Sequence, residues 1–314
     1  MGNNFVTIKI FFYLSIFILF LNCGCKTSRL QLQEDFSIIE KHIIPAVPFY
    51  KQRGNTCGPS AVASILDYWK IQFDYPKLIK ELYAPGFGGS LDFEIAFYPR
   101  QFSLWSNYSQ SSFAYLKERV KENIPLIVLT RELSIKGGYH YLVIFGFDDA
   151  EKKILAHTGK KSGVWLSYKT FVNKWRKADF GTITICPPEK VTWEVSPEEY
   201  VYLGYLFEAK GQLEKALEFY QKAIPSLSQA KIAYFNLGNI YFKLSDFQKS
   251  EESYQKAIEI DKNFADAYNN LAYLYWYIKK NLKEAKELAV RATELNPEEK
   301  NYADTLEQIK KEVE

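Results

Sequence analysis

Apolar residues recur at intervals of three and four in "SAVASILDYW" (60–69) and "SSFAYLKERVKE" (111–122), the spacing of two amphipathic helices. Shorter apolar or alternating runs follow: "IPLIVLT" (124–130), "YHYLVIFGF" (139–147), "KILAHTG" (153–159) and "GTITIC" (181–186), each of strand length. The polar "DDAEKK" (148–153) between the second and third is turn-forming and predicts a hairpin. Helices first and an antiparallel sheet after describe an α+β domain. After Pro188 the strand pattern stops, and from Pro197 a helical pattern repeats. Tyr200, Leu203, Gly204, Phe207, Ala216, Tyr220 and Ala223 return 34 residues later as Tyr234, Leu237, Gly238, Tyr241, Ser250, Tyr254 and Ala257. A third set opens with Tyr268, Leu271, Ala272 and Tyr275, gains one residue near Lys279–Asn281, and continues with Ala285, Ala289, Ala292 and Pro297. Small residues at Gly204, Gly238 and Ala272 let paired helices approach closely, and the aromatics fill the gaps between them.

The period and its residues resemble three tetratricopeptide repeats over 197–298, with 299–314 as a polar capping helix. The resemblance implies an all-α solenoid whose inner helices line a groove with Val201, Tyr205, Phe235, Asn239, Phe242, Asn269, Tyr273, Trp276 and Tyr277. Such a groove is aromatic with two amides. It lacks the Lys/Arg set that clamps an acidic peptide terminus, and Asp266 occupies one such position. An extended or helical apolar peptide, or a protein partner presenting one, is the expected ligand. The alternative is that some of these aromatics pack against the domain before them.

At the other end, the apolar run Ile10–Leu21 is shorter than the ~20 residues of a membrane span but suits the core of a signal peptide. The "LNCGC" that follows resembles the bacterial lipoprotein signal, in which a Cys is lipidated and becomes the mature N-terminus. Cys25 follows Gly24, as that signal prefers, with its Leu four rather than three positions back; Cys23 follows Asn22. The resemblance implies a signal over 1–25, lipidation at Cys25 or Cys23, and a membrane-anchored protein of the bacterial cell envelope. An uncleaved anchor is the alternative. Residues 26–45 read as a polar tether.

A net charge of +3 is too small to suggest nucleic acid. The split between a net basic 1–195 and a net acidic 196–314 fits two independent units. Of four cysteines, two lie in the signal region, which leaves Cys57 and Cys186, too few for a disulfide framework. Without a His cluster they do not make a zinc site either, so neither metal nor cofactor is expected. Cys186, in an alternating run, reads as a buried small hydrophobe.

Cys57 reads differently. In "FYKQRGNTCGPSAVASILDYW" (49–69), Pro59 suits a first helical turn and places Cys57 at the helix start, where the dipole and unpaired N–H groups stabilise a thiolate. Gly58 leaves the backbone around the sulfur unobstructed, and the amide of Gln52 is positioned to reach a developing oxyanion. Of three histidines, His42 falls in the tether. His140, on a strand, can accept and return a proton, while His157 reads as a strand histidine with its own partner. The other reading leaves Cys57 as packing and His140 as a satisfied sheet residue.

Gln52-x4-Cys57-Gly58-Pro59, then "ENIPLIVLT", then "HYLVIFGFDD", resemble the papain-like double-glycine (bacteriocin-processing) cysteine peptidases over roughly 46–190. The resemblance implies a papain-like fold, Cys57 as nucleophile, His140 as base and acid, and Gln52 as oxyanion donor. The family's orienting Asp-Pro is replaced by Thr158 and Gly159, so the Thr158 hydroxyl is the expected partner of the His140 ring, and it cannot stabilise an imidazolium as a carboxylate does. The sequence thus supports a membrane-anchored cysteine peptidase acting on a peptide or protein, or a catalytically inactive scaffold of the same fold that binds peptides.

Overall fold

The computed structural model describes residues 40–131 and 138–313; the signal region with Cys23 and Cys25 lies outside them. Two compact units divide the chain, one reaching to Tyr98 and taking in Asn107–Ile185, the other made of Pro99–Ser106 and Cys186–Glu314.

The first unit is an α+β domain around a seven-stranded sheet. Its strands are β1 (Lys41–Ile43), β2 (Trp105–Gln110), β3 (Leu126–Arg131), β4 (Tyr139–Asp148), β5 (Lys153–His157), β6 (Val164–Ser167) and β7 (Gly181–Cys186). They run in the order β2-β7-β3-β4-β5-β6, with β1 added beside β4. Five helices accompany them: α1 (Cys57–Tyr68), α2 (Tyr75–Leu82), α3 (Asp92–Phe97), α4 (Phe113–Lys121) and α5 (Tyr168–Arg176). The central strands are apolar without alternation because both faces are covered. Leu126 pairs with Ile144 and Val128 with Leu142, and this set packs with Leu116 and Val120 of α4 and Phe171 and Trp175 of α5. Helix α1 is buried continuously from Gly58 to Leu66.

The predicted hairpin forms, with Asp148 opposite Lys153 and Val143 opposite His157. Three expectations need correction. Residues 41–43 are not tether: they pair antiparallel with β4 from Lys41↔Asp148 to Ile43↔Gly146, and the next residue, Ile44, is buried. His42 therefore sits on a strand, its Nε2 3.1 Å from Asn123 Oδ1. Strand β2 precedes β3, so the sheet does not simply follow the helices; its polar "WSNYSQ" gave no apolar alternation to read. Strand β5 ends at His157, and Thr158 turns away, its N–H donating to the carbonyl of Lys161 at 3.0 Å.

The second unit is helical from α6 (Pro197–Ala209) through α7 (Leu213–Ala223), α8 (Leu227–Lys243), α9 (Phe247–Ile260), α10 (Ala265–Tyr277), α11 (Leu282–Leu295) and α12 (Lys300–Val313). Helices α6 to α11 make three hairpins, and α12 packs on the last. The small residues act as the periodicity implies. A Cβ on Gly204 would come within 2.6 Å of the Tyr220 ring, and one on Gly238 within 2.5 Å of the Tyr254 ring. The third repeat has Ala272 and Ala289 at the matching positions, both fully buried, so with no ring there a methyl fits.

Gly238→Ala is accordingly expected to cost about 1–3 kcal/mol, the range for overpacking a well-filled core. Tyr254 is 2% exposed and its hydroxyl donates to Asn239 Oδ1 at 2.8 Å, so the ring has no easy escape. A urea midpoint followed by helical circular dichroism checks this; an unchanged midpoint would show that the hairpin reopens freely.

Candidate functional site

Cys57 is the first residue of α1, and that helix start has no side-chain cap. Helices α2, α4, α5, α6 and α9 each begin under an Asp or Ser side chain that accepts a backbone N–H. At α1 the N-cap residue is Thr56, whose hydroxyl is turned back on Arg53, donating to its carbonyl and accepting its N–H, both at 3.0 Å. The first N–H groups of α1 are thus left for the sulfur.

Burial alone would push the Cys57 thiol up. A hydrogen bond from His140, the backbone N–H of Tyr141, the charge of His140 and the N–H of Gly58 act the other way, and together they outweigh burial and hold the thiol below its ordinary value. A lowered thiol pKa means thiolate at a pH where a free cysteine is still protonated.

The ring of His140 is fixed by a backbone carbonyl. Nε2 lies 2.7 Å from the carbonyl oxygen of Thr158. A carbonyl can only accept, so Nε2 carries the proton, and Nδ1 is the nitrogen left to exchange a proton with sulfur. The expected partner, the Thr158 hydroxyl, is not the one used. It faces Lys161, accepting that residue's N–H at 3.2 Å within the turn that ends β5. The physical reason is that β5 stops one residue earlier, which rotates the carbonyl of 158 toward the ring and its side chain outward.

Gln52 lies at the same place. Its backbone N–H donates to the carbonyl of Gly159 at 2.9 Å, its Nε2 donates to the carbonyl of Gly54 at 2.8 Å, and Oε1 is buried with no partner among the described residues. One N–H of the side-chain amide is therefore spent on Gly54 and the other remains for a ligand. Gly159 has φ +72°, and a Cβ there would fall 2.2 Å from Gln52 Oε1. The absence of a side chain at Gly159 thus makes room for the glutamine.

Gln52, Cys57, His140 and Tyr141 line a cleft of about 600 Å³ together with Ser90, Asp92, Tyr108 and Asp179. Asp92 and Ser90 went unnoticed in the sequence; the "GGSLDFE" loop that carries them offered only an ordinary helix start. Tyr141 donates its hydroxyl to Asp92, and burial, then that carboxylate, push its phenol up, so it stays a donor. Gly58 lets this loop approach: a Cβ there would meet Ile95 Cδ1 at 2.8 Å and Ser90 Oγ at 3.0 Å. Among the described residues no group of three His, Cys, Asp or Glu side chains could hold a metal ion.

His157, by contrast, is structural. It is 4% exposed, with Nε2 donating to the carbonyl of Val47 at 3.0 Å and Nδ1 accepting the N–H of Gly163 at 3.2 Å. Burial lowers its pKa below the usual value. As the pH falls through about 6.5 the unfolded chain takes up a proton that the folded ring refuses, so stability falls with falling pH until the folded pKa is reached. In that window this one residue contributes a slope of up to about 1.4 kcal/mol per pH unit. Urea midpoints between pH 7 and 5 should fall less steeply in His157→Gln; parallel slopes would rule the residue out.

The expected groove residues divide. Tyr205 and Tyr277 are 59% and 53% exposed. Phe242 and Tyr273 pack with Tyr277 in one aromatic patch, Trp276 joins it through Tyr273, and its Nε1 donates to Glu312 of α12 at 2.9 Å. Phe235 leans on Tyr254 and Phe264. Asn239 accepts from Tyr254 and from Asn270, while Asn269 is 9% exposed, so it is buried rather than lining a surface.

Comparison with known proteins matches both parts of the chain. The model of the "Peptidase_C39 like family" matches residues 44–183, and tetratricopeptide models match 200–224, 232–264 and 253–287. This is a C39-like domain followed by tetratricopeptide repeats. No curated protein matches the chain. Solved structures similar to it include the first repeat domain of Spaghetti (RPAP3) bound to an HSP90 peptide, at 20% identity over 38% of this chain and 93% of that one, TM-score 0.35. The Arabidopsis OM64 repeat domain is 25% identical over 37% and 94%, TM-score 0.33. The second repeat domain of human RPAP3, in complex with an HSP70 peptide, is 22% identical over 37% and 98%, TM-score 0.32. The α+β character of the C39-like domain and the helical repeats after it are as the sequence implied.

Proposed function

We propose that the chain is a cysteine peptidase whose repeats hold a peptide or protein partner. The reading rests on one observation above the others: His140 is fixed with Nε2 protonated, which presents Nδ1 to a thiol already held below its ordinary pKa. In the reaction Cys57 Sγ attacks the scissile carbonyl carbon and forms the S–C bond, while the carbonyl oxygen takes the negative charge beside the Gln52 amide and the first N–H groups of α1. Collapse breaks the C–N bond, and His140 gives its Nδ1 proton to the leaving amine. Water, deprotonated by Nδ1, then attacks the thioester, and the acid product leaves as thiolate and imidazolium re-form. The exposed aromatics Tyr205 and Tyr277 are the groups in the repeats for a partner to cover, and a lipid on Cys25 or Cys23 would hold the protein on a bacterial envelope membrane.

A second reading, a non-catalytic scaffold, draws support from the neutral carbonyl of Thr158, which orients an imidazolium without offsetting its charge as a carboxylate does. Incubating the full-length protein with a diverse peptide library and sequencing new termini separates the two. Cleavage lost in Cys57→Ser supports the peptidase. Intact peptides, together with a Cys57 no more reactive than an ordinary thiol, leave the scaffold.

A further inference from the structure

The cleft beside Cys57 has a sign. Among the described residues two carboxylates line it, Asp92 and Asp179, and no Lys or Arg does. A second cavity, of about 820 Å³, shares Gln52 with the first but not Cys57, and among the described residues it is lined by Lys51 and Arg53 with no carboxylate. Charge therefore changes across Gln52. Neither Asp92 nor Asp179 has an ion-pair partner among the described residues. Asp92 is half-buried, one oxygen taken by Tyr141, and Asp179 stands exposed at the rim. Both act on a common neighbour: burial first, then the charges of Asp92 and Asp179, push the Tyr108 phenol up. Ser90 lines the same chamber, and its Oγ is buried with no hydrogen-bond partner among the described residues.

Unpaired carboxylates at one cavity match a cationic ligand that only donates. Ammonium and guanidinium groups have N–H donors, no acceptor and a positive charge. We propose that the chamber selects a substrate bearing a Lys or Arg side chain beside the bond to be cut, with Asp179 drawing the cation in and Asp92, held by Tyr141, anchoring it. The assignment rests on the peptidase reading for its substrate, but the charge preference itself needs no turnover.

The test uses the full-length chain and two small thiol reagents of similar size and opposite charge, the trimethylammonium-ethyl and sulfonatoethyl methanethiosulfonates. Rates are read at the Cys57 peptide by mass spectrometry, with the fully buried Cys186 as control. The ratio of cationic to anionic rate is expected to fall about fivefold for each carboxylate removed, in Asp92→Asn and in Asp179→Asn, and to shrink with added salt. Asn at 92 keeps an acceptor for Tyr141, and 179 is exposed, so at least one variant reports on a folded protein. Comparing ratios against the unvaried chain cancels the charge of His140. Peptidyl vinyl sulfones carrying Lys, Ala or Glu form the second arm, with Lys expected to label fastest. A ratio unmoved in both variants, or Glu labelling as fast as Lys, overturns the assignment. Charge preference without labelling by any peptide reagent overturns the peptidase reading and leaves the cation site standing.

Discussion

His140→Ala is expected to return Cys57 to an ordinary or weaker thiol. In the intact chain, alkylation of Cys57 should reach half its limiting rate at a pH below the ~8.5 of a free cysteine, because the hydrogen bonds and charge around the sulfur outweigh its burial. The substitution removes the His140 hydrogen bond and the His140 charge together. Burial, the largest single influence, remains, opposed only by the N–H groups of Tyr141 and Gly58. The midpoint should therefore move up to about 8.5 or beyond, and each unit of movement is a tenfold loss of thiolate at low pH. If peptide turnover is measurable, removal of the acid–base group should cost a further ~10²–10⁴. Iodoacetamide rates between pH 5 and 9, read at the Cys57 peptide, decide the matter. Equal midpoints in the two proteins would show that the backbone N–H groups of Tyr141 and Gly58 set the thiolate without His140.

The second large effect is expected from Gly159→Ala. A backbone at φ +72° costs an L-residue roughly 1–2 kcal/mol, and the new Cβ would sit 2.2 Å from Gln52 Oε1. Gln52 cannot swing away without cost, since its backbone N–H is bonded to residue 159 itself and its Nε2 to Gly54. The amide should leave the cleft, and losing an oxyanion donor typically costs ~10²–10³ in turnover. A double-mutant cycle isolates this: in a Gln52→Ala background, Gly159→Ala should retain its backbone strain and lose its effect on the chemistry. Additive losses would mean that Gly159→Ala does not act through Gln52.

What could be read from the residues followed from how each feature is encoded. The repeats were legible because close helix approach needs a small residue at fixed spacing, so Gly204 and Gly238 announce their partners. The Cys57 helix start was legible from Pro59, and the hairpin from its polar turn. Backbone groups carry no such signature. Nothing in "AHTG" distinguishes a carbonyl turned to His140 from one turned to solvent, and the N–H of Tyr141 at the sulfur is equally silent. The strands β1 and β2 escaped for a related reason: one is three residues long and the other polar, so partners far along the chain define them. Asp92 was hidden at the start of a short helix, where only the folded cleft gives its charge a meaning.

The addition of β1 beside β4 has a consequence in time. Lys41 meets Asp148, and Cys57 meets His140, only after long stretches of chain have closed on themselves, whereas each repeat hairpin joins neighbours. Contacts between distant positions form late and slowly, and local ones early. A refolding chain should thus display finished hairpins at its far end while Cys57 still behaves as an unassisted thiol. The lowered pKa of the Cys57 thiol arrives only when α1 has closed on β4.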